Sequence, residues 1–308
     1  MRILMIGAGA VGGYVGGRLA QAGREVDFLV RPRRAAQLNG NGLRIVDGAR
    51  TDVIDARVVT APMLTGPYDL ILVSVKAQAL SAAIEDFRTA VGPHTAVVPF
   101  LNGINHIAAL TEAFGPDAVL GGTLKIGTQL DPDGAVRQLL PGGSIEVGEL
   151  DGTTSKRVTE IAETLAIPGF NVSVPEDVMA AMWSKWVFVA TIGAVTSLAH
   201  GSIGEAVATV GGSAFAEETL AEASAVARAA GHPLSPENYA LTRTIATASG
   251  TPTTSSLSRD LLADLPTEVE NVLGDLIVRA HGFGLDVPRL EAAALVLRAH
   301  NARTAGAG

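Results

Sequence analysis

Residues 1–23, MRILMIGAGAVGGYVGGRLAQAG, decide the fold. Arg2 to Ile6 is a short, branched apolar run of the kind that forms a fully buried parallel strand. Gly7-Ala8-Gly9-Ala10-Val11-Gly12 follows without a break, and Tyr14 to Ala22 continues at helical spacing to a stop at Gly23. Each glycine has a separate task. Gly7 permits the tight turn off the strand, Gly9 lets backbone amides approach a diphosphate, and Gly12 lets the new helix lie close against the strand. The open amides and the positive dipole end of that helix attract negative charge. A G-x-G-x-x-G spacing alone is weak; one that leaves a strand and opens a helix reads as a dinucleotide-binding turn.

Working outward, 308 residues suffice for two domains with substantial cores. A hydrophobic share of 47% against 18% charged excludes a disordered chain. The net charge of -8 argues against nucleic acid and against an anionic membrane surface, so an anionic ligand needs a local cluster of positive groups. With no cysteine, disulfides, thiolate metal sites and cysteine nucleophiles are excluded, and a cytoplasmic setting fits. Six scattered histidines lack ligand spacing, and no metal is expected. The N-terminus is too interrupted by glycines and Arg18 to read as a signal peptide. Trp186 to Ala199, about fourteen residues, falls short of a membrane span and reads as a core helix.

Glu25 to Val30 is the second strand, closed by Arg31-Pro32-Arg33-Arg34. About twenty residues past the glycines, an NAD enzyme usually places an acid on the ribose hydroxyls. No acid ends this strand, and a guanidinium there suits a 2′-phosphate, so NADP is expected over NAD. Leu43–Val46 and Val53–Val59 read as short strands. Tyr68 to Lys76 reads as a buried strand ending in Lys76, and Thr95 to Phe100 as another that runs into Asn102-Gly103. Ligands of open α/β sheets collect at such carboxyl ends, although a lysine leaving for water and an Asn-Gly turn explain both residues equally well. Val119–Gln129 and Ala135–Gly148 are expected as antiparallel strands finishing the sheet, followed by a helix over Thr154–Ala166 and a strand over Asn171–Val174.

Pro175 marks a change of character, because beyond it the pattern is helical to about residue 303. The expected fold is α/β: a Rossmann dinucleotide-binding domain over 1–174, then an all-helical domain over 175–308, with the site in the crevice between them. In the helix expected over 176–199, Lys185 is the lone base on an apolar run, sharing a face with Ala181, Val189 and Gly193. An ammonium there must snorkel out, find a carboxylate or lose basicity, and in the last state it suits a general acid for a carbonyl becoming an alcohol. Thr267 and Glu270 have capping-box spacing, which predicts Glu268 in a first helical turn, as a dipole-favoured acid or as the partner of Lys185. Thr251–Ser258 is a low-complexity stretch that reads as a loop, leading into a helix expected over 254–263.

Taken together, these residues resemble ketopantoate reductase (2-dehydropantoate 2-reductase). The resemblance rests on Gly7–Gly12, Arg31, Ser74-Val75-Lys76-Ala77, Asn102-Gly103, Trp183-Ser184-Lys185, Ser255-Ser256, Thr267-Glu268 and Ala280-His281-Gly282, in that order along the chain. It implies an NADPH-dependent reduction of a 2-oxo acid to a 2-hydroxy acid, as in pantothenate biosynthesis. It further implies Lys185 as proton donor, Glu268 acting with it and lining the cofactor, Ser256 on the substrate carboxylate, and Lys76 and Asn102 near the nicotinamide and substrate. Family asparagines one and two turns past the lysine are Val189 and Gly193 here, and a third is Thr253. Losing such partners can cost orders of magnitude in discrimination, so a bulkier or less hydroxylated side chain than that of ketopantoate is expected. A β-hydroxyacid dehydrogenase or imine reductase, and a non-catalytic NADP-binding sensor, remain alternatives. A homodimer is compatible with the sequence but not read from it.

Overall fold

The computed structural model describes residues 1–306. The chain divides into two compact units, Met1–Leu101 with His106–Ala181, and Asn102–Asn105 with Met182–Gly308.

The first unit holds two sheets. A parallel sheet contains β1 (Arg2–Ile6), β2 (Glu25–Leu29), β5 (Arg57–Val59), β6 (Leu70–Val73) and β7 (Ala96–Pro99), in the order β5-β2-β1-β6-β7. Ile3, Leu4 and Met5 are completely buried, as the unbroken apolar run requires of a strand covered on both faces. The chain winds from β1 toward β2 on one side and returns to β6 on the other. That reversal lies between β1 and β6, where a parallel sheet opens a crevice at its carboxyl edge.

The second sheet contains β3 (Leu43–Asp47), β4 (Arg50–Ile54), β8 (Leu120–Leu130), β9 (Val136–Glu149) and β10 (Phe170–Ser173). This corrects the expectation that the long strands finish the first sheet: β8 and β9 pair antiparallel with each other, and β9 also pairs with β3 and β10. It also divides Val53–Val59, whose first residues belong to β4 and whose last form β5 in the other sheet. Between the sheets lies α1 (Ala10–Gln21). A Cβ on Gly16 would meet Phe28 at 2.5 Å, and one on Gly13 would meet Val136 at 2.8 Å, so this helix fits only with glycine on those faces.

Arg31-Pro32-Arg33-Arg34, read as a closing turn, instead opens α2 (Pro32–Asn41), with Pro32 in the first turn and Ala35 and Leu38 buried. α3 (Leu80–Phe87), α4 (Asn105–Phe114) and α5 (Lys156–Leu165) complete the α/β part.

Beyond β10 no strand occurs among the described residues. α6 (Val178–Ala199) is followed by α7 (Ile203–Val207), α8 (Gly212–Ala229), α9 (Pro236–Ala246) and α10 (Ser256–Leu262). A π-turn over Glu270–Gly274 then runs into α11 (Asp275–Gly282), and α12 (Pro288–Gly306) ends the described chain. At 22 residues α6 is long and apolar enough to cross a membrane, which corrects the length argument from Trp186–Ala199. Its apolar surface is nonetheless used internally, with 72% of its most hydrophobic window buried in the protein. Ile192 and Val195 pack with Ile203, Ala206, Ala216 and Ala246.

Candidate functional site

In the first unit, the glycine turn is built as its sequence demands. Gly7 sits at φ +92°, and its amide donates to Leu29 O at 2.9 Å, tying β1 to β2 at their carboxyl ends. A Cβ on Gly12 would stand 2.2 Å from Gly7 O and 2.1 Å from Ser74 Oγ, a hydroxyl that itself donates to Ile6 O at 2.9 Å. A Cβ on Gly9 would meet no atom within 4 Å. Gly9 caps α1 without any side-chain hydrogen bond, and no acid occupies the first turn. The opening of α1, with Ala10, Val11 and Gly12, is therefore a stretch of backbone amides with room in front of it. A diphosphate fits those features by charge and by space.

Around this turn, Arg31 is exposed at the N-cap of α2, directly beyond β2. Lys76 is exposed three residues past β6. Sequence reasoning noted Arg34 only as one of three arginines, yet it is the one fixed against the glycine turn. Its Nε donates to Ala8 O at 3.0 Å, and its Nη1 donates to Gln37 at 2.6 Å and to Gly134 O at 3.0 Å. Its Nη2 is buried without a hydrogen-bond partner. Burial, and then the charge of Arg44, hold its pKa below the usual arginine value. Nothing in the local sequence distinguished it from Arg31 and Arg33.

The second unit gathers the other chemistry-bearing residues. Lys185 is buried within α6, with 8% of the residue exposed. Trp183 and Trp186 flank it in sequence, each 1% exposed, with ring centroids 4.9 Å apart. Trp186 Nε1 donates to Val272 O at 2.8 Å, joining α6 to the π-turn.

Glu268 is half-buried and lies just before that helix, not inside its first turn, and Glu268 O accepts from Val272 N at 3.1 Å. The expected capping box is absent. Thr267 Oγ1 instead donates to Asn301 Oδ1 at 3.1 Å, and Glu270 is held by Arg298 at 2.7 Å. These partners lie more than 25 residues away, beyond the reach of a local spacing rule.

Asn102 begins the short segment that belongs to this unit although it directly follows the first one. Its carbonyl accepts from Asn271 Nδ2 at 2.5 Å, and Gly103 adopts φ +75° beside it. Ser256 is exposed at the start of α10, the helix expected over 254–263. Ser255 caps that helix and lies 2.9 Å from Thr196 Oγ1 of α6. Lys185, Glu268, Asn102 and Ser256 thus belong to one compact unit, and Lys76 and Arg31 with the glycine turn belong to the other.

The three positions lacking the family asparagines are also accounted for. Val189 is half-buried, and Gly193 lies under Leu257, whose Cδ1 would be 3.0 Å from a Cβ there. Thr253 Oγ1 is 2.8 Å from Thr251 Oγ1, and Thr253 O accepts from Ile203 N.

Residues 3–152 match the sequence model described as ketopantoate reductase PanE/ApbA, and residues 177–301 match that of its C-terminal part. The chain belongs to the ketopantoate reductase family. It is 30% identical over 302 residues to 2-dehydropantoate 2-reductase of Halobacterium salinarum, covering 97% of this chain and 98% of that protein. It is likewise 30% identical over 291 residues to a Bacillus subtilis protein named uncharacterized oxidoreductase YkpB, covering 94% and 96% of the two chains. The solved 2-dehydropantoate 2-reductase of Geobacter metallireducens superposes with a TM-score of 0.87 at 26% identity, covering 97% and 99%. The chain is accordingly an oxidoreductase of the 2-dehydropantoate 2-reductase type, acting on a CH–OH/carbonyl pair.

Proposed function

We propose that the protein reduces a 2-oxo acid to the 2-hydroxy acid with NADPH, and that its substrate carries a bulkier or less hydroxylated side chain than ketopantoate. The observation that carries this reading is the burial of Lys185, an ammonium kept at 8% exposure on α6 in the unit that also holds Glu268, Asn102 and Ser256. A lysine buried to this degree needs a compensating partner, and a carboxylate in that place would hold it as a charged, oriented proton donor.

In this assignment residues 1–174 hold most of the cofactor, and residues 175–308 supply the proton-transfer pair and Ser256. The diphosphate lies on Gly7, Ala8, Gly9, Ala10, Val11 and Gly12. Arg31 meets the 2′-phosphate, and Lys76, Asn102 and Glu268 lie toward the nicotinamide. When bound, the cofactor supplies the hydride that reaches the carbonyl carbon. Lys185 gives its proton to the carbonyl oxygen as negative charge develops there, and Glu268 orients the ammonium and favours its charged form. Ser256 donates to the substrate carboxylate, with Asn102 and Lys76 completing the substrate's polar contacts. The rest of the pocket is apolar where relatives use asparagines. Val189 has no polar group, Gly193 lies under Leu257, and the Thr253 hydroxyl is engaged by Thr251.

The test is Lys185→Ala, followed by NADPH oxidation and separately by NADPH binding. Losing a positioned general acid lowers kcat by about 10²- to 10⁴-fold, while NADPH affinity stays within about twofold of the parent. A variant that turns over at the parent rate refutes the role of Lys185. Parent protein that binds NADPH and reduces no carbonyl compound supports a sensor instead.

A further inference from the structure

The π-turn that follows Glu268 touches Asn102, which was given a role above, and Trp186, the residue after Lys185. A π-turn places an additional residue in one turn of helix, and such turns are frequent at functional sites. Here it spans Glu270–Gly274, and Val272 N bonds back to Glu268 O at 3.1 Å just before it. Within it, Val272 O receives the indole N–H of Trp186, the residue after Lys185, at 2.8 Å. One residue earlier, Asn271 Nδ2 donates to Asn102 O at 2.5 Å across 169 positions of sequence.

The fit against Asn102 is close. Gly103 holds φ +75°, and a Cβ there would stand 2.8 Å from Asn271 O and 3.6 Å from Asn271 Oδ1. Two turns further on, Arg279 Nη2 donates to Asn105 Oδ1 at 2.8 Å. The same guanidinium lies 5.7 Å from the ring centroids of both Trp183 and Trp186. The segment 102–105 is thus fastened at its first residue by Asn271 and at its last by Arg279, on the helix that begins beside Glu268.

We propose that Asn271 is a positioning residue: by holding the Asn102 carbonyl, it sets Asn102 in register with Glu268 and Lys185. This rests on the functional reading above, which gives those three residues their roles. Asn271 itself touches no reacting atom in this scheme. Its contribution is to the angle and distance at which Asn102 meets nicotinamide and substrate, and misplacement of about 1 Å can cost as much as 10²-fold in rate. Asn271→Ala removes the donor, and Asn271→Asp removes it and sets a carboxylate against a carbonyl oxygen. Asn271→Gln keeps an amide donor on a side chain one methylene longer.

Two readouts on the full-length protein test this. The first is hydrogen exchange of the amides in 102–105, which needs no substrate. Exchange should quicken at least tenfold in Asn271→Ala and Asn271→Asp and return part-way in Asn271→Gln; unchanged exchange in Asn271→Ala refutes the clamp. The second is turnover of a 2-oxo acid with NADPH deuterated at the transferred position. Asn271→Ala should lower kcat about tenfold or more, with KM and NADPH affinity within about twofold and a larger isotope effect because hydride transfer becomes slower. Parent-like kcat, or equal losses in kcat and NADPH affinity, overturns the positioning role. If the parent reduces no 2-oxo acid while exchange responds as expected, the functional reading fails and the clamp stands.

Discussion

Gly9 and Gly12 belong to one motif but have separable roles, and alanine at each should distinguish them. At Gly12 the added methyl would lie 2.2 Å from Gly7 O and 2.1 Å from Ser74 Oγ, about 1 Å inside ordinary carbon–oxygen contact. Gly7 O is backbone in a turn fixed to Leu29, and Ser74 Oγ is anchored on Ile6 O, so neither can simply rotate away. The opening of α1 must shift instead, at the upper end of the overpacking range, about 3 kcal/mol. For a chain of 308 residues that corresponds to a fall in Tm of roughly 5 °C. The same shift displaces the amides proposed to hold the diphosphate, so NADPH affinity falls as well.

At Gly9 the methyl would meet no protein atom within 4 Å, and φ −81° is open to alanine. Stability should change by less than about 1 kcal/mol, the ordinary difference between glycine and alanine at an N-cap. NADPH affinity should nevertheless fall by at least tenfold, because the methyl takes the room in which the diphosphate would lie. The assay is thermal unfolding of both variants without cofactor, beside titration with NADPH. Parent-like NADPH affinity in Gly9→Ala would refute the placement of the diphosphate, whatever Gly12→Ala does.

Arg31→Ala should weaken NADPH binding by about 10- to 100-fold, the value of one charge-assisted hydrogen bond, and leave NADH binding nearly unchanged; equal losses for both would remove Arg31 from the 2′-phosphate. Arg157 and Ser155 hold the Glu149 carboxyl below its usual pKa, with Arg157 the larger influence. A depressed carboxylate gives stability that is present above its unfolded pKa of about 4.3 and is lost as pH falls through the folded value. Urea unfolding from pH 7 to 3 should therefore show a shallower acid decline in Glu149→Gln, together with a lower midpoint at pH 7. Burial and the bond to Asp27 push the Tyr68 hydroxyl up to about 12. The folded state then keeps a proton that the unfolded chain releases near pH 10, so stability falls between about pH 10 and 12. Tyr68→Phe should flatten that alkaline decline.

What the sequence disclosed, and what it withheld, divides by the range of the interactions. The β1–turn–α1 unit is local, each glycine acting within a few residues, and it was legible in full. The helical run after Pro175 was legible for the same reason. The partition of strands into two sheets was not, because alternating runs do not name their partners, and β4 and β5 are separated only by Asp55 and Ala56. α2 was hidden by its composition. It buries only Ala35 and Leu38, and it carries Gly40 and two asparagines, all weak helix formers. Arg34 and Asn271 act on Ala8 and Asn102, 26 and 169 residues away, with nothing in their local pattern to mark them. Thr267 shows the converse: a local capping signal was present, and Asn301, 34 residues away, took the side chain instead.

The central claim is that this chain is a 2-oxo acid reductase whose pocket lacks the family's asparagine amides at 189, 193 and 253. Its most direct test is NADPH oxidation by the parent protein against a panel running from ketopantoate to branched aliphatic and aromatic 2-oxo acids, compared by kcat/KM. The account predicts turnover across the panel, with the apolar and bulky members ahead of ketopantoate. Ketopantoate as the best substrate would contradict the rebuilt pocket, and no oxidation with any member would contradict the reductase itself.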